Sequence, residues 1–323
     1  MSSDLQELLQ KSLGTGYRLS RELGGGGMAK VYVADDGTVG RRVVVKVLSP
    51  DLAAGVNLDR FKREIQVAAK LHHPRIVAVL GAGQSGDHLI YYTMPYIEGE
   101  SLRSLLTREK RLDIDVALSI ASDVADALAY AHRQNIVHRD IKPENILIER
   151  ATGHALITDL GIARAIEKAA DIQSVTSTGL TLGTPTYMSP EQAAADRNLD
   201  GRSDIYSLGC VLYEMLSGDP PFTGPTARSI IARHIQEPPP NIRVTRPDLA
   251  KPVQDVIEKM LAKAPDERFA SAELVERALA DPAAVVFATP RTRRRHGRLW
   301  LAAAILALAI VVLLLTAWAL RSA

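Results

Sequence analysis

The chain has 323 residues, of which 46% are hydrophobic and 24% charged, and its formal net charge is +2. Such a composition excludes disorder as the default state, and a charge so near zero gives no ground for a nucleic-acid partner. The length allows about two domains, or one bilobal unit with an appendage; the single cysteine, Cys210, excludes an intramolecular disulfide and reads as a small core residue in a reducing compartment.

Residues 1–16 open with MSSDLQELLQKSLG, which carries acidic groups and no apolar core, so no signal peptide is expected. YRLSREL (17–23), KVYVADD (30–36) and RRVVVKVLS (41–49) then read as strands. The first two are joined by Gly24, Gly25, Gly26 and Gly27, with Ala29 where a G-x-G-x-x-G pattern would place its third glycine. Two readings stand: a flexible hairpin turn, or backbone N–H groups left open to a phosphate. Lys46 interrupts the apolar run VVVKVL and either faces water or has a buried partner. RFKREIQVAAKL (60–71) is helical, with Phe61, Ile65 and Ala68 on one stripe. Glu64 shares that inward stripe and wants a cation, for which Lys46 is the natural choice. HLIYYTM (88–94) returns to strand and completes a small β-rich lobe.

Thereafter the period is helical. ALSIASDVADALAYAH (117–132) keeps Ile120, Val124, Leu128 and Ala131 on one stripe, and SDIYSLGCVLYEMLSG (203–218) is apolar on most faces, as a helix through the centre of a lobe would be. Between them NILIE and HALITD are short strands around an ATG turn; prolines 238–240 mark a loop, and AELVERAL (272–279) is a last helix. Residues 281–298 form a linker ending in RTRRRHGR (291–298), which holds five arginines. From Leu299 to Leu320 the chain is free of charge, with Trp300 and Trp318 near its ends. At about 1.5 Å per residue this run is long enough for a hydrocarbon core of about 30 Å. It is expected to be a transmembrane helix, with the arginines holding residues before 299 in the cytoplasm and touching lipid headgroups, and with residues 321–323 outside.

HRDIKPEN (138–145) packs a guanidinium, two carboxylates, an ammonium and an amide between apolar runs. Such groups are costly to bury without partners, so the octet is either a solvated loop or a site. Asp140 could act as general base toward a hydroxyl, Lys142 could neutralise a transferring phosphoryl group, and Asn145 offers an amide oxygen suited to Mg²⁺. Asp159, at the end of the second short strand in TDLG, would bring a second oxygen ligand to the same place.

The ordered set HRDIKPEN, DLG (159–161), VVVK (43–46), the glycine loop and SPE (189–191) resembles a protein kinase from about Tyr17 to about Ala280. GTPTYMSPEQ (183–192), Lys142 two places after Asp140, and the trailing apolar helix are similar to bacterial Ser/Thr kinases of the eukaryotic-like type. The resemblance implies an α+β bilobal fold, with an N-lobe over residues 17–97 and a C-lobe over 98–280, ahead of the C-terminal transmembrane helix expected from the apolar run; with three residues after that run, no extracellular sensor domain is expected. It implies ATP with Mg²⁺, or Mn²⁺, as cofactors and protein Ser/Thr hydroxyls as substrates. Leu23 and Gly24 to Gly27 would cover the nucleotide, Lys46 paired with Glu64 would hold its α- and β-phosphates, and adenine would lie between Val31 and Leu147. Pro95 and Ile97 would read the base through their carbonyl and N–H. Asp140 and Lys142 would act on the transfer, and Asn145 and Asp159 would bind the metal. Asp204 would brace the catalytic loop, and Glu191 would pair with Arg268. Thr176 and Thr178 would be activation-segment phosphosites, modified in trans within a homodimer and engaged by Arg139. Ala29, Val44 and Leu160 depart from the family's usual residues. A membrane-tethered pseudokinase scaffold and a small-molecule phosphotransferase are the alternatives.

Overall fold

The computed structural model describes residues 2–26, 29–49, 53, 58–85, 89–160, 185–196 and 198–285. The chain divides after Ala284, and the elements below all belong to the first unit. Gly27, Thr176, Thr178 and the run 299–320 lie outside the described residues, as does the side chain of Glu64.

Five antiparallel strands, β1 (Tyr17–Gly26), β2 (Ala29–Asp36), β3 (Arg41–Leu48), β4 (Gly81–Ser85) and β5 (Leu89–Pro95), form a sheet of order β1-β2-β3-β5-β4. The glycine run differs from the expected loop. Gly24, Gly25 and Gly26 pair with Val31, Lys30 and Ala29, so β1 continues through them. Glycine is required at Gly25 by close approach: a Cβ there would lie 2.4 Å from the Ala29 carbonyl oxygen. Gly24 has φ +124, a region L-residues rarely adopt.

One face of the sheet is covered by a helix the sequence reading did not anticipate, α1 (Ser2–Leu13). Its Leu9 and Leu13 are buried with Tyr32, Val43, Val45, Val47 and Leu89. The Gln10 amide extends the edge of β1: Nε2 donates to the Tyr17 carbonyl at 2.8 Å, and Oε1 accepts from the Leu19 N–H at 2.9 Å. On the other face lies α2 (Leu58–Ala68), with Phe61, Ile65 and Ala68 buried as their spacing predicts.

The second lobe begins with β6 (Gly99–Ser101), which joins β7 (Ile146–Glu149) and β8 (Ala155–Ile157) in a small antiparallel sheet. Its described helices of eight residues or more are α3 (Leu102–Glu109), α4 (Ile114–Arg133), α6 (Gly201–Ser217), α7 (Ala227–Gln236), α8 (Lys251–Met260) and α9 (Ala272–Ala280), with the short α5 (Pro190–Ala193) before α6. The centre of the lobe is α6. Asp200 caps its start by accepting from the Arg202 N–H, Gly218 ends it at φ 95, and every residue from Ser203 to Leu216 is buried. A Cβ on Gly209 would meet Met260 Cβ at 2.9 Å, so the glycine lets α8 pack directly on α6. Cys210 is fully buried there, as expected for a core thiol.

Candidate active site

The catalytic loop is held from below. Asp204, fully buried on α6, accepts from the His138 N–H and the Arg139 N–H, both at 2.8 Å, and lies 2.8 Å from His132 Nε2. Burial opposes charge on Asp204, but His132, His138 and the backbone donors outweigh it and hold its carboxyl below the usual range. His138 is fully buried, and its Nε2 lies 3.0 Å from the Thr158 carbonyl. A carbonyl only accepts, so Nε2 carries the proton, and Nδ1 is left to accept from the Asp140 N–H at 3.3 Å.

Within the octet Asp140, Lys142 and Asn145 satisfy one another. Lys142 Nζ donates to Asp140 Oδ2 at 2.7 Å. Asn145 Nδ2 donates to the same oxygen at 2.9 Å and to the Asp140 carbonyl at 2.8 Å. Both side-chain donors use Oδ2, which leaves Asp140 Oδ1 for a hydroxyl, and Asn145 keeps its amide oxygen for a cation. The Asn145 carbonyl accepts from the Thr158 N–H at 3.0 Å, which ties this loop to the segment carrying Asp159.

Asp159 has φ 65, a strained value for a non-glycine residue. Its Oδ2 lies 2.5 Å from Lys46 Nζ, and its Oδ1 accepts from the Tyr92 hydroxyl at 2.5 Å. Burial pushes its pKa up, yet Lys46, Tyr92 and His138 together leave the carboxyl below the usual range. For Tyr92, burial and the neighbouring Asp159 both push the hydroxyl well above its ordinary value, so it stays a donor. Lys46 is therefore paired with the DLG aspartate, 113 residues away; the Glu64 side chain expected as its partner lies outside the described residues. Tyr92 escaped sequence reasoning because, as a strand residue in an apolar run, it looks like simple core.

Beside this polar cluster is an apolar one. Val31, Val44, Met94, Ile97 and Leu147 come together with Ala29 and Leu156, from both lobes. Pro95 sits opposite Val43 at the end of β5, and the Tyr96 N–H donates to the Arg42 carbonyl at 3.3 Å. Leu23 is 42% exposed at the edge of the sheet.

Two further networks set the floor. Arg268 makes a bidentate pair with Glu191 at 2.7 and 2.8 Å, as the resemblance implied. Gln192, on the same α5, donates to the Arg139 carbonyl at 2.8 Å. Arg103 on α3, not singled out from sequence, donates to Glu144 and Glu214 at 2.8 Å each and also reaches the Tyr187 hydroxyl.

A strand pair presenting a lysine to an aspartate from the far lobe, over a braced loop ending in Asn145, defines a class of protein. The family model "Protein kinase domain" matches residues 17–279. The chain belongs to the protein kinase domain family. Among relatives it is 43% identical over 260 residues to serine/threonine-protein kinase PknB of Mycobacterium tuberculosis, which covers 79% of this chain and 41% of PknB. The chain thus spans about two fifths of the curated relatives it matches. Among solved structures it resembles the PknI kinase domain of Mycobacterium tuberculosis, with a TM-score of 0.66 and 30% identity, covering 83% of this chain and 97% of that one. It also resembles Rad53 1–466 in complex with AMP-PNP, with a TM-score of 0.69 and 25% identity over 84% of this chain and 67% of that one.

Proposed function

We propose that the chain is a Ser/Thr protein kinase that moves the γ-phosphoryl group of ATP to protein hydroxyls. The observation that carries this is the convergence of Lys46, Asp159, Asn145, Lys142 and Asp140 beside the apolar cluster of Val31, Val44, Met94, Ile97 and Leu147, where adenine would lie. Phosphoryl transfer asks mainly for positioning and charge neutralisation. Asp140 Oδ1 would accept the substrate's hydroxyl proton. Lys142, anchored on the other carboxylate oxygen, would lie where negative charge develops, and Lys46 would exchange part of its contact with Asp159 for the nucleotide's phosphates. The donor set fits a divalent cation, because an ionised carboxylate and a free amide oxygen are hard ligands. Bound between Asn145 and Asp159, Mg²⁺ or Mn²⁺ would supply charge neutralisation at the phosphates. The AMP-PNP complex of Rad53 and the kinase activity named for PknB favour the same chemistry. The test is transfer of γ-labelled phosphate to a generic protein substrate, with Asp140→Asn as control. Equal incorporation by both proteins refutes the assignment of Asp140, and strict small-molecule specificity refutes the protein substrate.

We also propose that residues 299–320 cross the membrane once, with 281–298 as a basic cytoplasmic linker and the tail at 321–323 outside. No helix among the described residues is long and apolar enough to span a bilayer, so this rests on the sequence: an uncharged apolar run behind five arginines. Reporter fusions at Ala323 test the orientation. Phosphorylation of Thr176 and Thr178 in trans within a homodimer completes the proposal. Arg63 and Arg139 line one cavity of about 460 Å³ that also borders Leu160. Arg139 Nε is buried with no hydrogen-bond partner among the described residues, as a guanidinium awaiting a phosphate would be. Mass spectrometry of the wild type against Thr176→Ala/Thr178→Ala decides it; both sites empty in an active enzyme refute the proposal.

A further inference from the structure

Tyr92 is out of place as core. It sits on β5 directly opposite Lys46 of β3, so the two side chains leave the same face of the sheet. The ring is 1% exposed and packs among Ala29, Val44, Phe61, Ile65, Met94 and their neighbours. A phenylalanine would fill that space equally well, and a tyrosine hydroxyl buried there needs a partner. Its partner is the carboxylate expected to bind metal: Tyr92 Oη donates to Asp159 Oδ1 at 2.5 Å, while Lys46 Nζ holds Oδ2 at 2.5 Å.

We propose that Tyr92 is a positioning residue for the metal-ligand carboxylate, an inference that rests on Asp159 being that ligand. A carboxylate offers about four lone-pair directions. Tyr92 and Lys46 take one on each oxygen, which fixes both the plane of the group and its distance from the sheet and leaves one direction on each oxygen for the cation. The backbone of Asp159 is strained at φ 65, and a carboxylate gripped at one point only would be free to turn with it. With the hydroxyl removed, Lys46 is the remaining grip from the sheet among the described residues, and Lys46 itself must also serve the nucleotide. Partners that orient a metal ligand in this manner are typically worth about 10- to 100-fold in metal affinity. The effect belongs to metal binding. Nucleotide recognition by the apolar slot does not involve the hydroxyl.

The experiment uses the full chain in detergent with Mn²⁺ as probe and a non-hydrolysable ATP analogue present. Mn²⁺ affinity is read from the free-ion paramagnetic resonance signal, and analogue affinity without metal from calorimetry. Wild type, Tyr92→Phe, Tyr92→Met and Asp159→Asn are compared, each normalised to the nucleotide sites counted without metal. The expected result is a fall of about 10-fold in Mn²⁺ affinity for both Tyr92 variants, unchanged metal-free analogue binding in Tyr92→Phe, which keeps the ring, and loss of site-bound Mn²⁺ in Asp159→Asn. Wild-type or tighter Mn²⁺ binding in Tyr92→Phe, with Asp159→Asn defective, overturns the role of Tyr92 alone; tighter binding would make the hydroxyl a competitor of the metal. A shift in Tyr92→Met without one in Tyr92→Phe assigns the effect to packing and also overturns it. Wild-type Mn²⁺ binding by Asp159→Asn removes the metal-ligand reading itself.

Discussion

Arg268 offers a sharp test of how the substrate-side floor of the lobe is held. Its guanidinium has five N–H donors, and all are used: Nε to the Ala262 carbonyl at 2.8 Å, Nη1 to Glu191 Oε1 at 2.7 Å and the Arg202 carbonyl at 2.8 Å, Nη2 to Glu191 Oε2 at 2.8 Å and the Lys263 carbonyl at 2.9 Å. The side chain is 0% exposed and its carbon Cζ lies 4.9 Å from the centre of the Tyr206 ring. Glu191 also accepts from Ser203 Oγ at 2.6 Å. Burial works against its charge, yet Arg268 and Ser203 hold its carboxyl below the usual range. Breaking such a pair from one side strands a buried charge, so Arg268→Met should destabilise the protein by about 3–5 kcal/mol. Arg268→Lys keeps the charge but has three donors, and two acceptors lose theirs; about 2–3 kcal/mol is expected. A double-mutant cycle with Glu191→Gln, read by urea unfolding, should give a coupling of about 2 kcal/mol.

There is also a functional arm. Glu191 anchors α5, and Gln192 beside it holds the Arg139 carbonyl next to Asp140. Arg268→Lys should therefore lower kcat beyond what its unfolded fraction explains, with the KM for ATP unchanged, because no nucleotide-side contact is touched. A coupling near zero, or Arg268→Lys matching the wild type in both stability and kcat, refutes the reasoning.

Three other outcomes are expected. Asp204→Asn turns one acceptor into a donor aimed at a backbone N–H; it should cost about 2–3 kcal/mol and lower kcat at least about tenfold, and a rise in KM for ATP at constant kcat would contradict this. His234 is fully buried, with Nδ1 3.0 Å from the Tyr206 hydroxyl, Nε2 3.1 Å from the Thr186 carbonyl and Lys263 on its own carbonyl; burial, then Lys263, pulls its pKa down from 6.5 to about 4. Because the folded value is the lower, this stability is present above pH 6.5 and is lost toward pH 4. Wild type should lose about 3 kcal/mol more than His234→Gln across that window in pH-dependent unfolding, and parallel curves would refute it. Gln10→Ala removes the two hydrogen bonds that close the edge of β1 and should cost about 1–2 kcal/mol with kcat intact; no measurable change in urea unfolding would show that α1 is held by its apolar stripe, Leu5, Leu9 and Leu13.

Much of this architecture is legible in the sequence because it repeats at short range. The stripe Phe61, Ile65, Ala68 sits at helical spacing, and α4 and α6 are long enough for their period to be plain. Helix α1 is shorter: Leu5, Leu9 and Leu13 make one stripe at four-residue spacing in an otherwise mostly polar stretch, and what stabilises it is a sheet face formed by residues 32–47 and 89. The site is legible as a set of residues and less so as a set of contacts. Lys46 and Glu64 are close in the chain and opposite in charge, which makes them an obvious pair. Asp159 becomes visible as the partner of Lys46 only once two lobes enclose it, and Tyr92 only once the register of β3 on β5 places it beside Lys46. Pattern reports periodicity. Register and lobe closure are long-range facts.

The same distinction explains how eight polar-rich residues are tolerated in a core. Arg139 has φ 70, a left-handed value that costs about 1–2 kcal/mol for a residue with a side chain. That turn lets the consecutive N–H groups of His138 and Arg139 point the same way, a small anion-binding concavity, and the anion is Asp204, with one oxygen for each. Two charge-assisted hydrogen bonds, each worth about 1.5–3 kcal/mol, exceed the strain. Once the backbone is held from beneath, His138 is spent inward on Thr158, and Gln192 holds the Arg139 carbonyl. The next side chain, Asp140, is left at the surface of a rigid support, with Lys142 and Asn145 on one of its oxygens. The octet is stable because most of its polarity is satisfied from below and from within, and what is left open, Asp140 Oδ1, the Asn145 amide oxygen and Arg139 Nε, is what chemistry can use.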